Sequence, residues 1–206
     1  MKLQLAIDRV SIDQALKIIS EAENYIDIIE IGTSLIKDYG LISVQEIKKA
    51  FPSKIILADI KTVDEAQYEF DAIYNAGADI ATVLGVSSLE TIGICRRVAR
   101  KYNKEYMIDL LETSVKRQIE LKQFDDAILC IHLPSDKNRE IVSLINNTLS
   151  HIKEFPRLSV AGGVNMQNIT DVKRGNFEIV IIGGAITKSD NVKQAAQKFK
   201  MLMEDV

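Results

Sequence analysis

The stretch Leu57-Ala58-Asp59-Ile60-Lys61-Thr62-Val63-Asp64 sets three charges behind an apolar run, in the spacing D-x-K-x-x-D. Side chains alternate faces along a strand, which predicts that Asp59 and Lys61 point the same way and that Asp64 lies on the turn beyond. A lysine between two carboxylates stays protonated, because opposite charges favour the charged form. Such a trio can do acid/base work, bind a metal through its carboxylates, or simply form a solvated ion-pair cluster at a strand end. Other ionisable residues sit at or near the ends of apolar runs: Asp8, Glu30, Asp109 and His132. A charge embedded there is expensive unless it is paired, so the set predicts one shared polar pocket. His132 has the pKa range for moving protons near neutrality, or is a histidine hydrogen-bonded at a strand end. Two glycine pairs, Gly162-Gly163 and Gly183-Gly184, form the second constellation. Their backbone N–H groups can cradle a phosphate, with Thr187 and Lys188 as further donors, or the glycines only make tight turns.

The elements that must position these residues are legible as eight short apolar, β-branched runs. They fall at residues 3–7, 26–31, 55–58, 80–84, 105–111, 127–131, 158–161 and 179–182. Segments of helical period separate them. Ile12, Ala15, Leu16 and Ile19 give one apolar face, and Val192, Ala195, Ala196, Phe199 and Leu202 another. Ser11 to Gln14 and Ser43 to Glu46 read as capping boxes, and Gly77 as a helix stop. Helices are also expected over roughly 88–102 and 139–149. Regular alternation predicts a parallel sheet with helical crossovers. Eight units in 206 residues, with charges after nearly every strand, favour a single α/β domain over residues 1–206, a (β/α)8 TIM barrel. A doubly wound open sheet is the alternative. In a barrel the site lies at the C-terminal strand ends, where the charges fall, and phosphate is often held by the last two loops.

Composition narrows the function class. The net charge of −3 offers no basic excess for nucleic acid or an anionic membrane. No apolar stretch approaches the roughly 20 residues needed to cross a bilayer. The apolar run at the N-terminus is too short for a signal peptide. Cys95 and Cys130 fit no metal motif and read as buried free thiols, which suits a reducing cytoplasm.

The segment Ala58-Asp59-Ile60-Lys61-Thr62-Val63-Asp64 resembles the signature of the orotidine 5′-monophosphate decarboxylase suprafamily. Within it the chain is most similar to the 3-hexulose-6-phosphate synthase family. Further resembling segments keep the family's order: 4–8, 30–36, 82–86, 109–111, 160–164 and 181–186. The resemblance implies a Mg2+-dependent aldol reaction in which ribulose 5-phosphate and formaldehyde join through an enediolate. It also implies a homodimer with active sites near the interface. By the same resemblance Glu30 and Asp59 match metal-binding positions, and Lys61 the lysine that stabilises the enediolate. Asp8 matches a substrate-binding position, and Asp64 the aspartate that reaches into the partner's site. Asp109 and His132 match positions near the reacting carbons. Gly162, Gly163, Gly183 and Gly184 match the phosphate grip. The chemistry agrees, since a hard cation with oxygen ligands stabilises an oxyanion pair.

The related 3-keto-L-gulonate 6-phosphate decarboxylases carry an arginine at the position of Gly184 and tend to glutamate at that of Asp109. Both differences lean toward the synthase. A non-catalytic sugar-phosphate-binding protein is a further alternative. Two departures stand out. Glu65-Ala66 follows Asp64 where the synthases have a glycine or a small residue. After His132 the chain reads Leu133-Pro134-Ser135-Asp136-Lys137-Asn138 instead of the usual threonine- and glycine-containing loop, although Asp136 keeps its spacing. This second change bears on substrate choice and rate rather than on fold or metal binding.

Overall fold

The eight apolar runs form parallel strands in a computed structural model that describes residues 1–134 and 140–204. They are β1 (Lys2–Ile7), β2 (Ile28–Ile31), β3 (Ile55–Thr62), β4 (Ile80–Leu84), β5 (Glu105–Asp109), β6 (Ile128–His132), β7 (Leu158–Ala161) and β8 (Ile179–Ile182). Each pairs with the next, and β8 returns to β1, closing a barrel and excluding the open sheet. The helices are α1 (Ile12–Ala22), α2 (Thr33–Tyr39), α3 (Leu41–Ala50), α4 (Ala66–Asn75), α5 (Leu89–Tyr102), α6 (Val115–Glu120), α7 (Ile141–Ile152), α8 (Ile169–Lys173), α9 (Gly184–Thr187) and α10 (Val192–Glu204). The fold is the (β/α)8 barrel that the alternation predicts.

Period-two alternation sorts each strand between two cores. Leu3, Leu5, Ile29, Ile31, Ile56 and Val83 face outward and pack with Phe70 and Phe199 of the helices. Ile28, Leu57, Ile80, Met107, Ile128 and Ile179 fill the barrel interior. Two residues further along these same inward rows stand Glu30, Asp59, Thr82 and Asp109. The polar groups therefore lie one layer above an apolar floor, at the C-terminal ends.

Ser11 and Gln14 make the expected capping box at α1. The expected box at Ser43 does not form. Gly40, with φ +61, ends α2 and α3 starts directly behind it, so Ser43 lies within the helix and its hydroxyl donates to the Gly40 carbonyl at 2.7 Å. β2 starts at Ile28 rather than at 26, and β5 stops at Asp109 rather than at 111. There the Leu111 N–H donates to the Asp109 carboxylate at 2.9 Å, which turns the chain off the sheet. Gly77, with φ +112, follows α4 as a stop. Asp136 and Arg139 lie outside the described residues.

The opposite rim carries a different pattern. An acid stands just ahead of each even strand: Asp27, Asp79, Asp126 and Glu178. Each pairs with cations from neighbouring units, such as Lys200 on Asp27 at 2.8 Å, Lys48 on Asp79 at 2.9 Å and Arg157 on Glu178 at 2.8 Å. Asp27 and Asp79 also accept the N–H groups of the second residues of β1 and β3, Leu3 and Ile56. Among the described residues no helix is long and apolar enough to cross a membrane.

Candidate active site

Asp59 is the centre of the site. It is buried, and its two carboxylate oxygens have different partners. The Thr82 hydroxyl donates to Oδ1 at 2.9 Å, and the Thr33 hydroxyl reaches Oδ2 at 2.8 Å. The Lys61 ammonium also donates to Oδ2. Lys61 Nζ stands 3.7 Å from Asp109 Oδ2, and that same oxygen is 2.7 Å from His132 Nδ1. One continuous polar chain thus crosses the barrel mouth from β4 and β3 to β5 and β6. Glu30, on β2, joins the pocket from beside Asp59, and Gln4 Nε2 donates to it at 2.6 Å from β1.

Lys61 does lie between two carboxylates, but the second is Asp109, not Asp64. Nor does plain strand alternation bring Lys61 back to Asp59. Lys61 has φ +49, and the β3–β4 register jumps from Ala58↔Ala81 to Thr62↔Val83, so a bulge re-aims the side chain. Asp64 is exposed on the turn before α4 and is not brought into this pocket.

The charges set one another. Burial works against a charged Lys61, but Asp59 and Asp109 outweigh it and keep the ammonium protonated. Burial would likewise push the Asp109 carboxyl up, yet the hydrogen bond and charge of His132, then Lys61, hold it low. The His132 imidazole is driven down by burial and up by Asp109, and the rise wins. Its Nδ1 is engaged by Asp109, which leaves Nε2 to exchange protons. Glu30 goes the other way. Burial first, and then the neighbouring Asp59, push its pKa up to about 8. Lys61 offsets that rise only in part, and among the described residues no ion pair reaches Glu30.

Asp8 sits at the rim, exposed, where its Oδ1 accepts the Ser34 N–H at 3.1 Å and the Ser34 hydroxyl at 2.7 Å. The carboxylate lies directly over Gly32: a Cβ there would stand 2.3 Å from Asp8 Oδ2. Gly162 and Gly163, with φ +86 and +70, make the turn after β7. A Cβ on Gly162 would meet the Leu133 carbonyl at 2.3 Å. Gly183 and Gly184 open α9 after β8, against β1, and the first N–H groups of a helix have no intrahelical acceptor. Both glycine loops therefore sit on adjacent strands at the same end as the charges. Beside His132 opens a cavity of about 170 Å3 lined by Leu110, Thr113, Gln118, Leu133 and Pro134 among others.

Thr33, Thr82 and Gln4 belong to this site although nothing in their residue type announced it. The signals in reach were their places in the resembling segments 4–8, 30–36 and 82–86 and, for Gln4 and Thr82, a polar side chain on an inward strand row.

The profile of the orotidine 5′-phosphate decarboxylase / HUMPS family matches residues 1–199. The chain is 36% identical to a 3-hexulose-6-phosphate synthase of Bacillus subtilis (strain 168), over 98% of this chain and 99% of that one. It is 36% identical to a 3-hexulose-6-phosphate synthase of Mycobacterium gastri, over 97% of this chain and 98% of that one. A crystal structure of a 3-hexulose-6-phosphate synthase superimposes with a TM-score of 0.90 at 33% identity, covering 98% of this chain and 100% of that one. Motif, barrel and full-length similarity agree: the chain belongs to the orotidine 5′-phosphate decarboxylase / HUMPS family.

Proposed function

We propose that this enzyme condenses ribulose 5-phosphate with formaldehyde in a Mg2+-dependent aldol reaction, and runs its reverse, through an enediolate. The observation that carries the reading is the unbroken chain Asp59–Lys61–Asp109–His132, which joins a fixed cation to a proton carrier through one shared carboxylate. The relatives named 3-hexulose-6-phosphate synthase support it.

The two glycine loops hold the phosphate with backbone N–H groups, and Asp8 takes a substrate hydroxyl. His132 Nε2 removes a proton from C1 of the ketose. The electron pair left behind forms the C1–C2 double bond, and negative charge moves onto the C2 oxygen. Lys61 stands preorganised to meet that charge without waiting for solvent to reorient. C1 then attacks the formaldehyde carbon, a C–C bond forms, and the former aldehyde oxygen takes the proton back from His132. Asp109 stays ionised throughout and stabilises the imidazolium between the two transfers.

Glu30 and Asp59 would hold the metal. Their hard oxygens fit Mg2+, and the raised pKa of Glu30 is that of a carboxylate short of positive charge. Among the described residues no three His, Cys, Asp or Glu side chains close a metal cage. A two-carboxylate site completed by water and substrate is the usual form for Mg2+. When bound, the cation would supply Lewis-acid stabilisation to the substrate oxygens.

In this reading the enzyme is a cytoplasmic homodimer, and Asp64 enters the partner's site. Two large apolar side chains within four residues of that aspartate are exposed, Val63 and Tyr68, the latter at 73%. Apolar surface of this kind favours association.

Formaldehyde consumption with ribulose 5-phosphate, measured with Mg2+ and then with EDTA, tests the reading. The expected result is consumption that EDTA stops. Consumption that survives EDTA removes the metal. A folded protein that consumes none, or that releases CO2 from a keto-gulonate phosphate, overturns the synthase assignment.

A further inference from the structure

At the bulge in β3, three residues, Asp59, Ile60 and Lys61, stand opposite the single residue Thr82 of β4. A ladder bond is lost there, and Lys61 adopts a left-handed backbone that non-glycine residues rarely take. Thr82 is buried, and its hydroxyl stands in for the missing ladder. It accepts the Lys61 backbone N–H at 2.9 Å and donates its own proton to Asp59 Oδ1 at 2.9 Å. One oxygen thus grips the backbone of one pocket residue and the carboxylate of another.

We propose that Thr82 is a positioning residue that sets the bulge, and through it the aim of both Asp59 and the Lys61 ammonium. This rests on the synthase reading for its activity arm and on the proposed Glu30–Asp59 metal site for its calorimetric arm. Thr33 shares Asp59 but bonds its Oδ2 and carbonyl, so it holds the carboxylate without touching Lys61. Thr82 alone, among the described residues, ties the two together.

The test compares Thr82→Val, which keeps the shape and loses the hydroxyl, with Thr82→Ser, which keeps the hydroxyl and loses a methyl. Three readouts are followed: kcat and KM for ribulose 5-phosphate, Mg2+ affinity by calorimetry without substrate, and the thermal midpoint. Thr82→Val should lower kcat, with KM little changed, and should weaken Mg2+ binding, each by about ten- to a hundredfold. Thr82→Ser should stay close to wild type in both. A folded Thr82→Val with wild-type kcat and Mg2+ affinity overturns the proposal. So does equal impairment of the two variants, which would make the role one of packing. If Thr82→Val does not fold, Thr82→Ser decides alone: a folded serine variant with poor kcat overturns the proposal, and one near wild type sustains it. An inactive wild-type protein would instead strike the synthase reading, and the calorimetric comparison would still test Thr82.

Discussion

Asp109 acts on two neighbours at once. Its Oδ2 faces both His132 and Lys61, and its Oδ1 takes the Leu111 N–H, so its position is determined from three directions. The folded-state pKa of His132 is raised above its unfolded value near 6.5. Its favourable interaction is therefore complete below that value and is lost as pH rises through the folded pKa. Asp109 is depressed, so its contribution is complete above the unfolded carboxylate pKa and is lost as pH falls through the folded one. A base at His132 must be neutral, so kcat/KM should rise with pH through the raised His132 pKa. Asp109→Asn removes the charge that raises it. The variant's acidic limb should move to lower pH, and its rate should fall by about a hundredfold or more. A pH–rate profile with an unmoved acidic limb would remove His132 as the base. Thr82, Thr33 and Gln4 show what residue-level reading misses. A hydroxyl or amide in an apolar run carries no charge to flag it, and its importance comes only from the neighbour it meets.

The strand is the element that divides labour between the two ends of this protein. Its C-terminal end turns into a loop that serves the site, and its N-terminal end is anchored by the ring of acids ahead of the even strands. The glycine loop after β7 has no room for a side chain, because a Cβ on Gly162 would press on the Leu133 carbonyl and φ is +86. Gly162→Ala should cost roughly 1–3 kcal/mol by denaturant unfolding and raise KM for the phosphorylated substrate. At the other end Asp79 receives Lys48, Lys104 and the Ile56 N–H. Burial would raise its pKa, but the two lysines and the N–H lower it on balance. Its stabilising effect is present above the unfolded pKa and fades as pH falls through the folded one. Asp79→Ala should destabilise by about 1–3 kcal/mol in urea while leaving kcat/KM unchanged. A matching loss of activity at 25 °C would mean that the two ends are coupled. Most strand positions were readable from apolar runs. The second capping box was not, because a serine three residues ahead of glutamate looks the same whether a helix begins at it or just before it.

At the scale of the whole molecule, closure is what turns scattered residues into a site. In the proposed dimer Asp64 leaves its own barrel and completes the partner's pocket. Asp64→Ala and Lys61→Ala proteins should each be inactive alone. Mixed after partial unfolding and refolding, they should recover up to about a quarter of wild-type activity, because half the dimers are hybrids with one intact site. No recovery, with a hybrid dimer demonstrated by mass, would place Asp64 outside the partner's site. The sequence by itself determined the (β/α)8 architecture, since eight apolar runs alternating with helical periods bury their faces in few other ways. It also determined that Glu30, Asp59, Lys61, Asp109 and His132 share a pocket, because strand ends converge once a barrel closes. Only the tertiary structure decided who pairs with whom. That Lys61 leans on Asp109 rather than Asp64, and that Thr82 bridges the bulge, depend on register between strands far apart in the chain. Cross-strand register is not written in any local spacing.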